Sequence, residues 1–263
     1  MNTIGKVDGL WRYPVKSMRG GALAEAYVSF SGVYGDRLYA FKSTACEKVF
    51  PYLTGREQAR MLLFEPRFRN PELAAKPVNW AEAAHQAPGL NACFDDPDNL
   101  AVDVETPSGE VLAIDDPALI AELRQGLDDA HDVSLLRSDR ALTDCRPVSL
   151  ISMQTVDRLG DEIGASLDPR RFRANVYMNL ESGEGFEEDG LVGRTLAIGS
   201  DVRLTVVARD PRCKMITLDP DTAEADPRVL RTVARGHGGL AGVYGAVVRE
   251  GVVRRGDAIQ LTD

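Results

Sequence analysis

Short segments in which apolar and polar residues alternate are the feature that most limits what this chain can fold into. Such alternation puts apolar side chains on one face of an extended strand, whereas a helix needs them three and four positions apart. Residues 25–30 and 100–105 show this pattern. Two longer stretches, residues 194–209 and 244–261, are interrupted by turn-forming residues, which predicts two hairpins in the second half. We expect the strands to close into a barrel.

Helix signals are fewer and stand at three positions. Asp116, Ser152 and Asp226 can each accept a hydrogen bond from the free amides of a first helical turn, and proline follows the two aspartates directly. The predicted helices are residues 117–127, 153–163 and 227–235.

The fold class that follows is mainly β with helices, an α+β protein in two parts. At 263 residues and 44% hydrophobic content, the chain can supply two modest cores without disulfide bonds. We predict that the helix at residues 117–127 closes the first part, so the domains are residues 1–128 and 129–263. Residues 79–98 are rich in Ala, Pro and Asp without a strong period, and we interpret them as a helix-loop excursion of the first domain.

The charge balance excludes several classes of partner. The chain has 31 Lys+Arg and 40 Asp+Glu, a net charge of −9, which repels nucleic acid and anionic lipid unless basic residues are concentrated in one place. The sequence contains no apolar run of about 18 residues, and its first residues lack the order of a signal peptide. We therefore expect a soluble cytoplasmic protein that binds neither nucleic acid nor a membrane.

The cysteines favour chemistry at a single thiolate. Cys46, Cys93, Cys145 and Cys213 lie far apart, and the sequence has neither a C-x-x-C pair nor an H-E-x-x-H motif for a metal site. Arg212 and Lys214 flank Cys213, and nearby positive charge lowers the pKa of a cysteine toward the thiolate. The alternative is that Cys213 is a small buried apolar residue.

Three basic segments stand out against the acidic background, at residues 13–17, 35–37 and 170–175. Arginine offers a planar fork for phosphate oxygens and lysine a point charge, so such segments can converge on a multiply charged ligand. Solvated surface charge is the alternative explanation of each segment taken alone.

Taken together and in order, these motifs resemble the MOSC family in its two-part form. The motifs are Tyr-Pro-Val-Lys-Ser at 13–17, Gly-Asp-Arg at 35–37, Phe-Arg-x-Asn at 172–175, and Arg-Cys with a following Asp-Pro-Asp-Thr at 212–222. The resemblance extends from about residue 4 to residue 261 and is nearest to the amidoxime-reducing group of mitochondria and bacteria. It implies an N-terminal β-barrel-like domain followed by a MOSC β-barrel domain.

The resemblance implies a molybdenum cofactor, the molybdopterin form, with Cys213 as both metal ligand and catalytic residue. The Asp219 and Asp221 turn after the cysteine is interpreted as shaping the site, since aspartate before proline forms turns. Ala174 and the Cys145-Arg146 pair depart from the family pattern. The residues that the resemblance assigns to cofactor binding are Lys16, Ser17, Arg37, Arg146, Arg173, Asn175, Arg212 and Tyr244.

The activity that the resemblance implies is reduction of N-hydroxylated compounds such as hydroxylamines and amidoximes. The chain lacks a C-x4-C-x2-C signature, so electrons would come from a separate iron–sulfur or flavin protein. A second hypothesis makes the protein a sulfur or molybdenum-cofactor carrier that uses a Cys213 persulfide or thiolate. A third keeps the barrel but gives it another anion as ligand.

Overall fold

The computed structural model describes residues 2–83 and 97–262. Its strands are β1 (Asn2–Arg12), β2 (Gly21–Leu23), β3 (Glu25–Ser29), β4 (Gly32–Val33), β5 (Tyr39–Ser43), β6 (Glu65–Phe68), β7 (Val102–Glu105), β8 (Val111–Ala113), β9 (Val133–Arg137), β10 (Val148–Ser152), β11 (Val176–Leu180), β12 (Thr195–Ile198), β13 (Val202–Pro211), β14 (Leu240–Arg249), β15 (Gly251–Arg254) and β16 (Ala258–Leu261). The α-helices are α1 (Trp80–Ala83), α2 (Pro117–Arg124), α3 (Met153–Ile163) and α4 (Pro227–Gly236). Short 3-10 helices lie at Ala59–Leu63, Pro97–Leu100, Pro169–Phe172, Glu187–Leu191 and Lys214–Thr217.

A closed barrel of seven strands forms the centre of the fold. In order around the barrel the strands are β1, β11, β10, β14, β13, β12 and β16, and β16 pairs with β1 to close the ring. The pairs are antiparallel except for β10 and β11, which run parallel. Alternate side chains fill the interior, among them Leu150, Val176, Leu196 and Val206, each buried to 1% exposure or less. The predicted barrel and the mainly β fold class are confirmed.

The first strand of the chain belongs to this barrel. β1 lies between β11 and β16, so the N-terminal eleven-residue strand closes a ring whose other six strands follow residue 147. Gly5 has to be glycine here, because a Cβ atom would lie 2.3 Å from the carbonyl oxygen of Asn179 on β11. The division between residues 128 and 129 stays a prediction, and the second part needs β1 to complete its barrel.

A second apolar core lies in the first half, where β5 pairs with β9 and β6, β7 and β8 form a meander. Phe41, Met61, Phe64 and Leu119 are buried there to 1% exposure or less. A third core is packed between the barrel and the helices α3 and α4, around Phe172 and Val233. These two cores support the loops that carry basic residues to one end of the barrel.

The three predicted helices are present with their caps. Ser152 accepts from the amide of Thr155 at the start of α3, whose bounds agree with the prediction. Asp116 and Asp226 cap α2 and α4 in the same way. Helix α2 ends three residues before the predicted residue 127, because the chain turns at Gly126, which has a φ of +81°. In the predicted excursion at 79–98, α1 and the start of the 3-10 helix Pro97–Leu100 are described, and residues 84–96 lie outside the described residues.

One hairpin prediction is confirmed and the other is wrong. β12 and β13 form the hairpin around residues 199–201. The predicted hairpin at 244–261 does not form, because its strands pair elsewhere: β14 with β10 and β13, β15 with β3, and β16 with β1 and β12. The alternation of apolar and polar residues predicts that a segment is a strand but not which strand it pairs with. Within residues 2–83 and 97–262, no helix is long and apolar enough to span a membrane.

Candidate functional site

A cleft of about 770 Å³, open to solvent, lies at one end of the barrel, where loops from the first half meet the ends of β10, β13 and β14. The residues that the sequence predicted for the site come from six separate segments, and all of them line this cleft. They are Lys16, Ser17, Arg37, Arg146, Arg173, Asn175, Arg212, Cys213 and Tyr244.

The cleft is basic although the chain is acidic. Among the residues that the structure describes, seven Lys and Arg side chains line it, against the two carboxylates of Asp144 and Asp210. In a chain with a net charge of −9, this is the local concentration of positive charge that binding of an anion requires. The basic segments are therefore not spread over the surface as separate solvated charges.

Three cleft residues have a strained backbone. Ser17, Arg37 and Arg173 lie in the left-handed region with φ of 66°, 48° and 52°, which costs about 1 kcal/mol or more for a residue with a side chain. Among the described residues, five non-glycine positions have positive φ, and three of them are in this cleft. Such strain is concentrated at functional sites, because the surrounding structure must hold it in place.

The Lys16 ammonium is held between aromatic rings and a loop. Its Nζ lies 5.3 Å from the ring centre of Phe50 and 4.8 Å from that of Tyr52. It donates to the carbonyl oxygen of Leu142 at 2.9 Å and to the carboxylate of Asp144. Burial lowers the pKa of Lys16, while Asp144 opposes that change. The lysine is thus a buried cation at the edge of the cleft, with one internal carboxylate as its partner.

Arg37 and Arg173 lie on the ring of Tyr13, with their guanidinium carbons 4.7 Å and 4.3 Å from its centre. Arg37 pairs with the buried carboxylate of Asp36 and donates to the carbonyl oxygen of Arg173 at 2.9 Å. Arg173 differs, since its Nη2 is buried and has no hydrogen-bond partner in the described part of the chain. Burial, with the neighbouring Arg37 acting in the same direction, lowers the pKa of Arg173 to about 10, so the group stays charged at neutral pH.

Asp210, Arg212, Ser149 and Tyr244 form a buried polar network beside Cys213. The Oδ2 atom of Asp210 accepts from Ser149 Oγ at 2.9 Å and lies 2.8 Å from Arg212 Nη2. Burial raises the pKa of Asp210 against the opposing charge of Arg212, and burial with the nearby Asp210 raises the pKa of Tyr244. The network fixes Tyr244 and Arg212 at the wall of the cleft.

Cys213 is a free, partly exposed cysteine at the start of the 3-10 helix Lys214–Thr217. The flanking charges are directed elsewhere: Arg212 donates to the carbonyl oxygens of Ala241 and Phe172, and Lys214 donates to that of Arg56 at 2.7 Å. The two flanking side chains therefore donate to backbone oxygens and not to the thiol. What distinguishes this cysteine is its place in the basic cleft.

The other described cysteines do not line the cleft: Cys46 is partly exposed and Cys145 is exposed, while Cys93 lies outside the described residues.

The turn after Cys213 is built by Asp219. Its Oδ1 accepts from the amides of Asp221 and Thr222, and its Oδ2 lies 2.8 Å from Arg171 Nη2. Within the described ranges, no group of three or more His, Cys, Asp or Glu side chains is arranged to hold a metal ion. The candidate metal ligand is thus one thiol.

Comparison with known proteins agrees with the two-part motif order. Residues 4–145 match the MOSC N-terminal beta barrel domain, and residues 137–260 match the MOSC domain. The chain belongs to the MOSC family. Mitochondrial amidoxime reducing component 2 of Rattus norvegicus is 22% identical over 307 residues, which cover 98% of this MOSC chain and 84% of the rat protein.

Two solved structures are similar to this MOSC protein. The YuaD protein from Bacillus subtilis has a TM-score of 0.45 at 14% identity and covers 97% of this chain and 93% of its own. YiiM from Geobacillus stearothermophilus has a TM-score of 0.36 at 17% identity and covers 45% of this chain and 55% of its own. Both similarities are weak, and the family assignment rests on the two domain matches.

Several cleft residues of this MOSC chain were not predicted from the sequence. They are Phe50, Thr54, Arg56, Thr143, Asp144, Ser149, Arg171, Phe172, Asp210, Pro211, Met215 and Ile216. The backbone of Arg56 is bound by Lys214, 158 residues further along the chain, and the Arg56 guanidinium lies 4.4 Å from the ring centre of Phe50. Arg171 lies inside the basic segment 170–175 and Asp210 lies two residues before Arg212, but only the structure shows that both face the site.

Proposed function

We propose that this MOSC protein binds a molybdenum cofactor in the basic cleft, with Cys213 as the protein's ligand to the metal, and reduces N-hydroxylated compounds. The observation that carries the proposal is the convergence of six sequence segments on one basic cleft, to which Cys213 alone of the three described cysteines contributes a thiol. The amidoxime-reducing function in the name of the rat relative supports the choice of substrate class.

The residues present fit this cofactor. A pyranopterin carries its metal on its own dithiolene sulfurs, so the protein needs one further soft ligand and a basic cradle for the phosphate. The cleft provides one thiol, at Cys213, and basic side chains that include Lys16, Arg37 and Arg173. The unpartnered Nη2 of Arg173 is a buried donor of the kind that an anion would satisfy.

Each group of residues has a separate role in this scheme. When bound, the cofactor would supply the oxygen-atom transfer chemistry, for which the side chains of the cleft have no group. Lys16, Arg37 and Arg173 hold its anionic part, and Cys213 binds the metal. Asn175 has a positioning role, since its side-chain amide donates to the carbonyl oxygen of Trp11 on β1 and accepts from the amide of Ser149. Burial and the nearby Asp210 carboxylate raise the pKa of Tyr244, so the tyrosine oxygen at the cleft wall keeps its proton.

The electrons come from a separate protein in this proposal. The sequence carries no iron–sulfur signature of the C-x4-C-x2-C type, and the rat relative is named as a component.

The direct test is turnover of benzamidoxime by protein from a host that makes the cofactor, first with a chemical reductant and then with a pyridine nucleotide alone. We expect turnover with the reductant and none with the nucleotide. No turnover by molybdenum-loaded protein with the reductant would contradict the proposed activity.

Arg173 gives the cleanest test of the cradle. We expect Arg173→Gln to lower molybdenum per chain when cofactor is limiting, because loss of one charge-assisted contact weakens binding about tenfold or more. Arg12→Gln is the matched control, since Arg12 is also a buried arginine on an aromatic ring, 4.5 Å from the centre of Phe68, with its pKa lowered to about 10, but it does not line the cleft. Equal molybdenum content in the two folded variants would remove Arg173 from the cradle.

Arg37→Ala is expected to lower the stability of the protein as well as its molybdenum content. Removing Arg37 leaves the carboxylate of Asp36, which is 1% exposed, without its cation, and a broken buried pair costs about 3 to 5 kcal/mol. A loss of molybdenum in that variant would therefore mix a folding defect with a binding defect.

A further inference from the structure

The carboxylate of Asp144 lies where the positive charges of the cleft converge. It accepts a hydrogen bond from the buried Lys16 ammonium. Burial would raise the pKa of Asp144, but Lys16, Arg37 and Arg56 act on it together and lower it. Two of these three cations belong to the predicted cofactor cradle. An acidic side chain thus stands among the groups that are expected to hold an anion.

The geometry of the loop allows the Asp144 side chain to turn toward solvent while the loop backbone keeps its position. The amide of Leu142 donates to the carbonyl oxygen of Arg37 at 2.8 Å, and the carbonyl oxygen of Leu142 accepts from Lys16 at 2.9 Å. The backbone is therefore fixed two residues before Asp144. The side chain of Asp144 is 56% exposed, whereas that of Lys16 is 6% exposed. The lysine cannot turn to solvent easily, but the aspartate can.

Arg56 is an available third cation at this position. Its guanidinium lies 4.4 Å from the ring centre of Phe50, on which Lys16 also packs. Its Nε donates to Thr54 Oγ1 at 3.2 Å, and the nearest Glu57 oxygen is 3.8 Å away. The other oxygen of Glu57 accepts from the amide and hydroxyl of Thr54, so that acid is already engaged.

We propose that Asp144 is an internal occupant of the oxyanion position formed by Lys16, Arg37 and Arg56, and that a phosphate monoester binds there by displacing it. A phosphate monoester carries close to two negative charges at neutral pH, whereas a carboxylate carries one. Because Coulomb attraction scales with the charge, three cations favour the phosphate over Asp144. The inference rests on the proposed function only for the identity of the ligand, the phosphate of the cofactor.

The test uses the full chain from a host that cannot make the cofactor, with inorganic phosphate as the probe. Binding is measured by calorimetry and by the phosphate dependence of the unfolding temperature. We expect Asp144→Asn to lower the apparent dissociation constant for phosphate about tenfold, since one competing charge-assisted contact is gone. Asp139→Asn is the matched control: Asp139 is on the same loop, is 51% exposed and lies 3.0 Å from Arg137 Nη2. It should leave the constant unchanged.

The behaviour of Asp144→Asn without phosphate and of a double variant provide two further tests. If Asp144→Asn unfolds without phosphate, recovery of the fold on adding phosphate supports displacement, and no recovery overturns it. Adding Lys16→Met to Asp144→Asn should remove the gain in affinity, which ties the effect to this position. Phosphate binding that is no tighter in Asp144→Asn than in the wild type overturns the inference. Absence of molybdenum from wild-type protein would overturn the proposed function instead and leave the phosphate result standing.

Discussion

Cys213→Ser is expected to abolish reduction of N-hydroxylated compounds while leaving the fold intact. Serine is close to cysteine in size, and the side chain is partly exposed, so packing changes little. The serine hydroxyl, however, is a hard ligand that stays protonated near neutral pH, whereas a soft thiolate suits molybdenum on dithiolene sulfurs. The measurements are benzamidoxime turnover with a chemical reductant and the thermal unfolding midpoint.

The matched controls are the two other described cysteines. Cys46→Ser and Cys145→Ser should keep most of the activity, because neither residue lines the cleft. Full turnover by a well-folded Cys213→Ser variant would contradict its assignment as the metal ligand. Loss of turnover in Cys145→Ser at unchanged stability would move that residue into the site.

Deletion of residues 1–12 is expected to prevent folding altogether. The deletion removes β1, so the ring of seven strands opens between β11 and β16 and the core loses Val7 and Leu10. Each unpaired edge exposes a row of backbone donors and acceptors, and a typical domain has only about 5 to 15 kcal/mol of stability in total. We expect no cooperative unfolding transition in the truncated chain, nor in residues 129–263 expressed alone.

Point variants on the same strand make this prediction quantitative. Leu10→Ala should lower the free energy of unfolding by about 2 to 5 kcal/mol, since Leu10 is 1% exposed in the barrel core. Lys6→Ala should change it by about 0.5 kcal/mol or less, because Lys6 is exposed on the same strand. A cooperative, wild-type transition in residues 129–263 would instead show that the predicted division yields an independent domain.

The sequence predicted where strands and helices lie better than it predicted which strands pair with each other. Ser152 and Asp226 identified helix starts because a cap is a local interaction between residues two or three positions apart. The pairing of β1 with β11 joins residues more than 160 positions apart, and no local pattern records it. The same reason explains the wrong hairpin, in which β15 pairs with β3 from the other end of the chain.

The site residues that could be predicted from the sequence are those that lie in recognisable motifs. Arg173 and Cys213 stand in short segments whose order resembles the MOSC family, and both line the cleft. Asp144 and Arg56 stand in segments without such a motif. They reach the site through contacts distant in sequence, since Lys16 donates to the carboxylate of Asp144 and Lys214 donates to the carbonyl oxygen of Arg56. Whether Arg212 and Lys214 act on the thiol depends on where their side chains lie, and both bind backbone oxygens.

Molybdenum per chain is the decisive measurement for Cys213 and the basic cleft. It is determined by elemental analysis on wild-type protein from a host that makes the cofactor, with cyanolysis of sulfane sulfur on the same sample. We expect close to one molybdenum per chain in the wild type and less in Cys213→Ser, in which only the basic cleft would hold the cofactor. Sulfane sulfur on Cys213 without molybdenum would contradict this expectation and would favour a sulfur carrier.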